Sequence, residues 1–145
     1  MLRRARPEDA EAVADVFVPA LGGLTFLPRL HTEDQTRAWI AETMLPSHEV
    51  WVAELEGEVV GFAALADDLL GHIYVHPSAQ GRGIGSVLLQ KAKDCRPRGF
   101  DLWVFQQNEG ARRFYERHGL ECVELTDGSG NEERTPDARY GWRPD

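Results

Sequence analysis

Cysteine is scarce in this sequence, with only Cys95 and Cys122 among 145 residues. Two thiols make no disulfide framework, and neither stands in a Cys/His cluster with zinc-ligand spacing, so both read as reduced, packed thiols and no metal is expected. Long apolar runs are missing as well. The N-terminal stretch MLRRARPEDAEAVADVF carries charges throughout and has no apolar h-region, and nothing approaches the ~18 consecutive apolar residues of a membrane span. The expected location is cytoplasmic, with no membrane partner. Positive charge is in deficit: 16 Lys plus Arg stand against 24 Asp plus Glu, a formal charge of −8. Binding a phosphate backbone needs a basic face, so nucleic acid is not an expected partner. Repeats, low-complexity tracts and Pro/Ser linkers are absent too, and 145 residues suit one domain of ordinary size. The expectation is a single domain over residues 1–145.

Hydrophobic residues at 42% and charged residues at 28% supply a core and a hydrated surface. Residues 2–5 read as a short strand. Arg6-Pro7-Glu8-Asp9 opens a helix whose acidic first turn suits the macrodipole, with Val13, Val16 and Phe17 as its apolar face. After the break at Gly22-Gly23 and Pro28, Thr32 caps a second helix expected over residues 31–44, anchored by Trp39 and Ile40 and ended by Pro46. The period then changes to strands: 50–55, a turn at Glu56-Gly57, 58–65, a turn at Asp67-Asp68, and 69–75. A helix over 85–95, a strand over 100–105, a helix over 108–118 stopped by Gly119, and two strands at 122–125 and 138–142 complete the chain.

The most informative stretch is Ile73-Tyr74-Val75-His76-Pro77-Ser78-Ala79-Gln80-Gly81-Arg82-Gly83-Ile84-Gly85-Ser86, a strand, a Pro-containing turn, three alternating glycines and a helix. Glycines let the main chain approach an anion closely, and a helix N-terminus adds partial positive charge, so a pyrophosphate is the natural ligand. A Walker loop would need Lys after the last glycine, where Ser86-Val87 stands. A dinucleotide fingerprint would need G-x-G-x-x-G and an acidic residue closing the next strand, but Asp101 opens it.

Gln80-Gly81-Arg82-Gly83-Ile84-Gly85 resembles the Gln/Arg-x-x-Gly-x-Gly/Ala signature of the GNAT superfamily of N-acetyltransferases, and Asn108-x-x-Ala111-x-x-Phe114-Tyr115-Glu116-x-x-Gly119 is similar to its second block. The resemblance spans nearly the whole chain. It implies an α/β (α+β) GNAT fold: one mixed, mostly antiparallel sheet of about seven strands, splayed between strands 4 and 5, with about four helices. It implies acetyl-CoA as donor. The amides of Gly81, Arg82, Gly83, Ile84, Gly85 and Ser86 would hold the pyrophosphate, and the main chain of Ile73, Tyr74 and Val75 would pair with the pantetheine arm. The Val75 amide would face the developing oxyanion, Asn108 would bond the pantetheine, and Tyr115 would be the general acid. Asn108 alone also reads as an N-cap, and Tyr115 as a packed aromatic. Homodimers are common in the family; nothing in the sequence establishes one.

The acceptor amine needs a base. Family members that acetylate protein N-termini carry a Glu where this chain has Trp103, and the histone-type base falls on Leu69, which leaves Asp68 and His72. His72 is the better candidate: it is expected to share a strand face with Leu70 and Tyr74 near the splay, and imidazole titrates near neutral pH. Two segments look shaped for an acceptor. Phe26 and His31 lie between the first two helices; Glu132, Glu133 and Asp137 lie in or beside a long polar loop over 126–137. A bacterial subgroup of the superfamily shares the Trp-Val-Phe-Gln and Asp-Gly-x-x-Asn-Glu-Glu wording. The expected function is transfer of acetyl to a primary amine of a small, cationic or amino-acid-like molecule by direct attack in a ternary complex. The alternatives are a protein or peptide amine as acceptor, or a sensor that binds acyl-CoA without turnover.

Overall fold

The structure, a computed structural model, describes residues 1–144. Strands β1 (Leu2–Arg4), β2 (Glu49–Leu55), β3 (Glu58–Ala66), β4 (Leu69–Val75), β5 (Phe100–Phe105), β6 (Glu121–Leu125) and β7 (Asp137–Trp142) join one 7-stranded sheet ordered β1-β2-β3-β4-β5-β7-β6. The main helices are α1 (Ala10–Gly22), α2 (Glu33–Trp39), α3 (Ile84–Cys95) and α4 (Glu109–Arg117). The β2–β3 hairpin turns on Glu56 and Gly57, both at positive φ (53° and 82°), the backbone a two-residue turn needs to match strand twist. On one face of the sheet, Val13, Val16 and Phe17 of α1 pack with Val50, Val52 and Phe62. On the other, Leu88 and Leu89 of α3 and Tyr115 of α4 pack with Leu65, Leu70, Leu102 and Tyr140.

The second helix departs from its expected bounds. Thr32 caps it as expected, its hydroxyl accepting from the Gln35 amide at 3.1 Å while the Gln35 side chain bonds the Thr32 amide at 2.9 Å. The helix then starts at Glu33 and does not stop before Pro46. It widens into a π turn over Ile40–Met44 and runs on through Leu45–Ser47. Pro46 fits because it occupies the opening of that last turn, where no N–H is required. The widened turn sets Ile40 and Met44, both 0% exposed, on the sheet, and leaves Trp39 at the surface edge.

Asp9 fixes how the chain enters α1. Arg3 Nη1 and Nη2 donate to its two oxygens at 2.8 Å each, and the Arg6 amide donates at 2.7 Å. The Arg3 hydrogen bonds outweigh burial and pull this carboxyl from 3.8 down to about 2. A depressed carboxylate stabilises the fold fully above its unfolded value and loses that contribution as pH falls through the folded one. Asp9→Asn is therefore expected to lower the melting temperature by roughly 5 °C at pH 7. Parent and variant should converge below pH 2 in calorimetry.

Among the described residues the one parallel pairing is β4 with β5, and it consists of Leu69 opposite Asp101, continued by the Asp101 amide on the Asp68 carbonyl at 2.9 Å. Beyond it the two strands part. The β4 register against β3 shifts from Leu65–Leu70 to Ala64–His72, so Gly71 is an extra, unpaired residue. Such a bulge bends its strand and reverses the alternation of side chains. His72 consequently does not share a face with Leu70, as strict alternation predicts. Leu70 faces the α3/α4 core, while His72 and Tyr74 stand against Phe17 of α1.

Candidate active site

The glycine turn is an open cradle of amides. Gly81 and Gly83 both have φ of +81°, and nothing lies within 4 Å of where a Cβ would sit on either. Gly83 is the N-cap of α3 without a side chain to offer, and the first helical bond runs from the Val87 amide to the Gly83 carbonyl at 3.1 Å. The amides of Ile84, Gly85 and Ser86 thus have no helical partner and are free to hold an anion. Gly85 serves packing: a Cβ there would lie 3.3 Å from Phe114 Cζ, so its absence lets α3 rest on α4. The Ser86 side chain is engaged elsewhere. His118 Nδ1 lies 2.8 Å from the Phe114 carbonyl and so carries hydrogen; Nε2 then accepts from the Ser86 hydroxyl at 2.9 Å. What Ser86 offers a ligand is its amide. Arg82 is exposed and enters none of the ion pairs among the described residues.

Next to the cradle, β4 presents an unpaired edge. The His76 amide donates to the Val60 carbonyl at 2.8 Å, which makes that a bonded pair of the ladder. Bonded and non-bonded pairs alternate in an antiparallel ladder. Gly61 opposite Val75 and Ala63 opposite Ile73 are therefore non-bonded, and Ile73 and Val75 point their main-chain groups away from β3 into the splay. The Val75 carbonyl is taken there by Gln80 Nε2 at 3.2 Å. Tyr74, by contrast, spends its main chain on β3 and offers the site its ring.

The splay holds a cavity of about 110 Å³ lined on one side by Gly71, His72, Ile73 and Tyr74, and on the other by Trp103, Phe105, Asn108 and Tyr115. Asn108 caps α4, its Oδ1 accepting from the Ala111 amide at 3.3 Å, which leaves its NH₂ for the cavity. Tyr115 is buried, 7% exposed, and held between Phe114 and Tyr140. A Schellman closure fixes this turn: the Leu120 amide bonds the Tyr115 carbonyl at 3.0 Å, and Gly119, at φ 86°, allows it. Burial first, then the neighbouring Tyr74, raises the Tyr115 phenol, so its hydroxyl stays protonated and donates. Tyr74 is likewise pushed up to about 12, by burial and then by the Glu133 carboxylate.

His72 packs among the rings of Trp39 at 5.3 Å, Phe17 at 5.9 Å and His48 at 6.0 Å. Burial, with His48 as a second cause, lowers it to about 4, so at neutral pH it is an uncharged acceptor. Asp68 is exposed and is not among the residues lining the cavity.

The two acceptor segments meet. His31 Nε2 and Glu132 Oε1 are 2.6 Å apart, joining the loop before α2 to the β6–β7 loop. Phe26 meets Phe105 of the cavity wall edge-on at 5.9 Å. Glu133 acts on the Tyr74 phenol. Asp137 belongs elsewhere: 8% exposed, it takes the Thr126 hydroxyl and, at 3.0 Å, Asn131 Nδ2, and so shapes the loop without facing an acceptor. Sequence reasoning missed Trp103 and Phe105 as walls of the cavity and Trp39 as the ring packed against His72. Phe100, Leu102 and Val104 carry the buried period of β5, so the off-phase aromatics Trp103, 45% exposed, and Phe105 were the available signal.

An amide cradle open to an anion, beside an unpaired strand edge that ends at a buried phenol, is the arrangement expected of an acyltransferase that takes its acyl group from a CoA thioester. Residues 46–121 match the model of the acetyltransferase (GNAT) domain. An N-acetyltransferase of Archaeoglobus fulgidus is 30% identical over 146 residues, covering 90% of this chain and 99% of the relative. The peptidyl-lysine N-acetyltransferase YiaC of Escherichia coli is 27% identical, covering 86% and 85%, and the L-amino acid N-acyltransferase MnaT of that organism 29%, covering 82% and 78%. Among solved structures, YjaB of Escherichia coli superposes with a TM-score of 0.80 at 24% identity, covering 98% and 96%. An acetyltransferase of Salmonella typhimurium solved with acetyl-CoA gives 0.74 at 24%, covering 100% and 94%. The chain belongs to the GNAT family and is an acetyl-CoA-dependent N-acetyltransferase. Among the described residues, no helix is long and apolar enough to cross a membrane.

Proposed function

We propose that this enzyme acetylates the primary amine of a small cationic molecule, with residues 1–145 acting as one catalytic domain. The last of these, Asp145, lies outside the described residues. The observation that carries the acceptor reading is the charge at the acceptor end. The Glu133 carboxylate acts on the Tyr74 phenol, Glu132 is linked to His31 on the segment whose Phe26 meets the cavity wall at Phe105, and among the described residues no Lys or Arg lines the cavity. An ammonium group is favoured there; the carboxylate of a free amino acid finds no cationic partner.

Acetyl-CoA supplies the activated acetyl group. The amides of Gly81 to Ser86 hold its pyrophosphate, the edge of Ile73 and Val75 together with the Asn108 NH₂ aligns the pantetheine arm, and the Val75 amide donates to the oxygen that gains charge during attack. Tyr115 donates to the departing sulfur. With its phenol raised and a thiol near 8.5, full proton transfer is uphill, so a strong hydrogen bond is its main contribution. His72 accepts a hydrogen bond from the amine and orients its lone pair, while Phe26, His31, Glu132 and Glu133 frame the acceptor.

The test is a panel of 1,5-diaminopentane, spermidine, tyramine, free amino acids and a lysine peptide, followed by CoA thiol release. Diamines are expected to lead. Glu133→Gln should raise KM for 1,5-diaminopentane about tenfold, the loss of ~1.4 kcal/mol from a charge-assisted contact, and leave KM for acetyl-CoA unchanged. Preference for free amino acids would overturn the reading. The second reading is a lysine side chain in a peptide, which presents the same alkyl ammonium to the same acidic rim and is the acceptor named for the relative YiaC. Preference for the lysine peptide over every diamine selects it.

A further inference from the structure

We propose that His48 carries the acceptor's proton out of the active site, through the gap left by the missing side chain of Gly71 and beside His72. This rests on the acetyltransferase reading and adds the group that completes it. His48 sits between the last turn after α2 and β2, and its ring is fixed at one nitrogen. Nδ1 lies 3.2 Å from the Met44 carbonyl and 2.8 Å from Ser47 Oγ, whose own hydrogen goes to the Thr43 carbonyl at 2.6 Å. Carbonyl oxygens only accept, so Nδ1 holds the hydrogen and Nε2 presents a lone pair. That lone pair faces β4 at its bulge, since a Cβ on Gly71 would lie 3.6 Å from Nε2. Gly71 also lines the cavity. The bulge therefore leaves only a glycine, with a gap the size of one methyl group, between the cavity and His48 Nε2.

The need for such a group follows from the surroundings of His72. Packed among Phe17, Trp39 and Tyr74, and lowered to about 4 by burial, it orients an amine but holds a proton poorly near neutrality. His48 is its neighbour at 6.0 Å between ring centres and is half-buried, a spacing that one water bridges. Nearby charged groups are otherwise engaged: Glu49 by Trp51 and Arg96 at 2.8 and 3.0 Å, and on α1 Glu11 and Asp15 by Arg37. In the step, one N–H bond of the acceptor ammonium breaks and its electron pair stays on nitrogen for attack on the thioester carbonyl. The proton forms a new N–H bond at His48 Nε2, by way of water, and then leaves to solvent.

The experiment is the pH dependence of kcat from pH 6 to 10 with 1,5-diaminopentane, or with the lysine peptide if that leads, for parent, His48→Gln, His48→Ala and Gly71→Val. His48→Gln is expected to lower kcat about 100-fold at pH 7, the lower end of the range of a positioned base, with the deficit narrowing toward pH 10, where a growing share of the amine is neutral unaided. Free imidazole should restore part of the rate in His48→Ala. Gly71→Val, which keeps both histidines and sets a side chain against His48 Nε2, should reproduce the loss at pH 7. Calorimetric affinity for acetyl-CoA should be unchanged in all three variants. A His48→Gln profile superimposable on the parent, or a deficit that is constant to pH 10 and indifferent to imidazole, overturns the proposal. A second arm needs no acceptor: ¹⁵N NMR should find the His48 hydrogen on Nδ1 with Nε2 bare, and the opposite tautomer overturns the proposal on its own. A parent that turns over neither probe overturns the acceptor reading and, with it, the step proposed for His48.

Discussion

Tyr115→Phe should lower kcat by roughly 10²-fold, the lower part of the range for a positioned acid, with KM for acetyl-CoA within about twofold of the parent. The separation of the two constants is the informative part. The ring lies at 5.5 Å from Phe114 and 6.1 Å from Tyr140, and Phe keeps both contacts. No fully buried side-chain oxygen or nitrogen among the described residues lacks a partner, so the Tyr115 hydroxyl is not a stranded core group, and its removal strands no other. The fold is expected to persist, with a melting temperature within about 2 °C of the parent. Because burial raises this phenol, it remains a donor throughout the neutral and mildly alkaline range, and no loss of rate through its ionisation is expected below pH 10. An unchanged kcat would mean that the thiolate departs without help from this residue.

Gly83→Val should abolish measurable acetyl-CoA binding, at least a 100-fold loss of affinity by calorimetry, while leaving the protein folded. The φ of +81° lies in the region that a β-branched L residue occupies only under strain, at a cost of roughly 1–2 kcal/mol. Nothing lies within 4 Å of the new Cβ, so that strain is confined to the turn and the core is not disturbed. Its relief rotates the amides of Ile84 and Gly85 away from the anion, and the valine side chain stands where the pyrophosphate would approach. Gly85→Leu is expected to fail differently. Its side chain drives into Phe114, 3.3 Å from the would-be Cβ, and displaces the turn that holds Tyr115, so binding and turnover fall together. Retained affinity in Gly83→Val would remove the cradle from the donor site.

Much of this molecule is legible one residue at a time. Leu69–Val75 and Phe100–Phe105 have the bounds that their patterns predict, because each is a short apolar run closed by a polar turn or a Gly. The cradle is legible because Gly is the residue that most readily takes the positive φ of Gly81 and Gly83, and the cap at Thr32 because its partner is three residues away. What escaped reading depends on distance along the chain. The bulge at Gly71 is set by pairing with β3, and it moves His72 off the face of Leu70. The π turn over Ile40–Met44 is chosen by the sheet it must cover. Asp137 resembles its acidic neighbours in sequence and is separated from them only by the Thr126 and Asn131 side chains that enclose it.

The sequence by itself determined the glycine cradle and the short spacing of Asn108 and Tyr115, since these depend on local backbone demands, and the acetyl-CoA enzyme followed from the resemblance of those two motifs to the GNAT family. The tertiary structure alone decided where the acidic residues point, that His31 meets Glu132 across 101 positions, and that burial among aromatic rings holds His72 neutral beside His48. Charge, solvation and proton affinity are set by what surrounds a group in space, and a linear order of residues does not contain that surrounding.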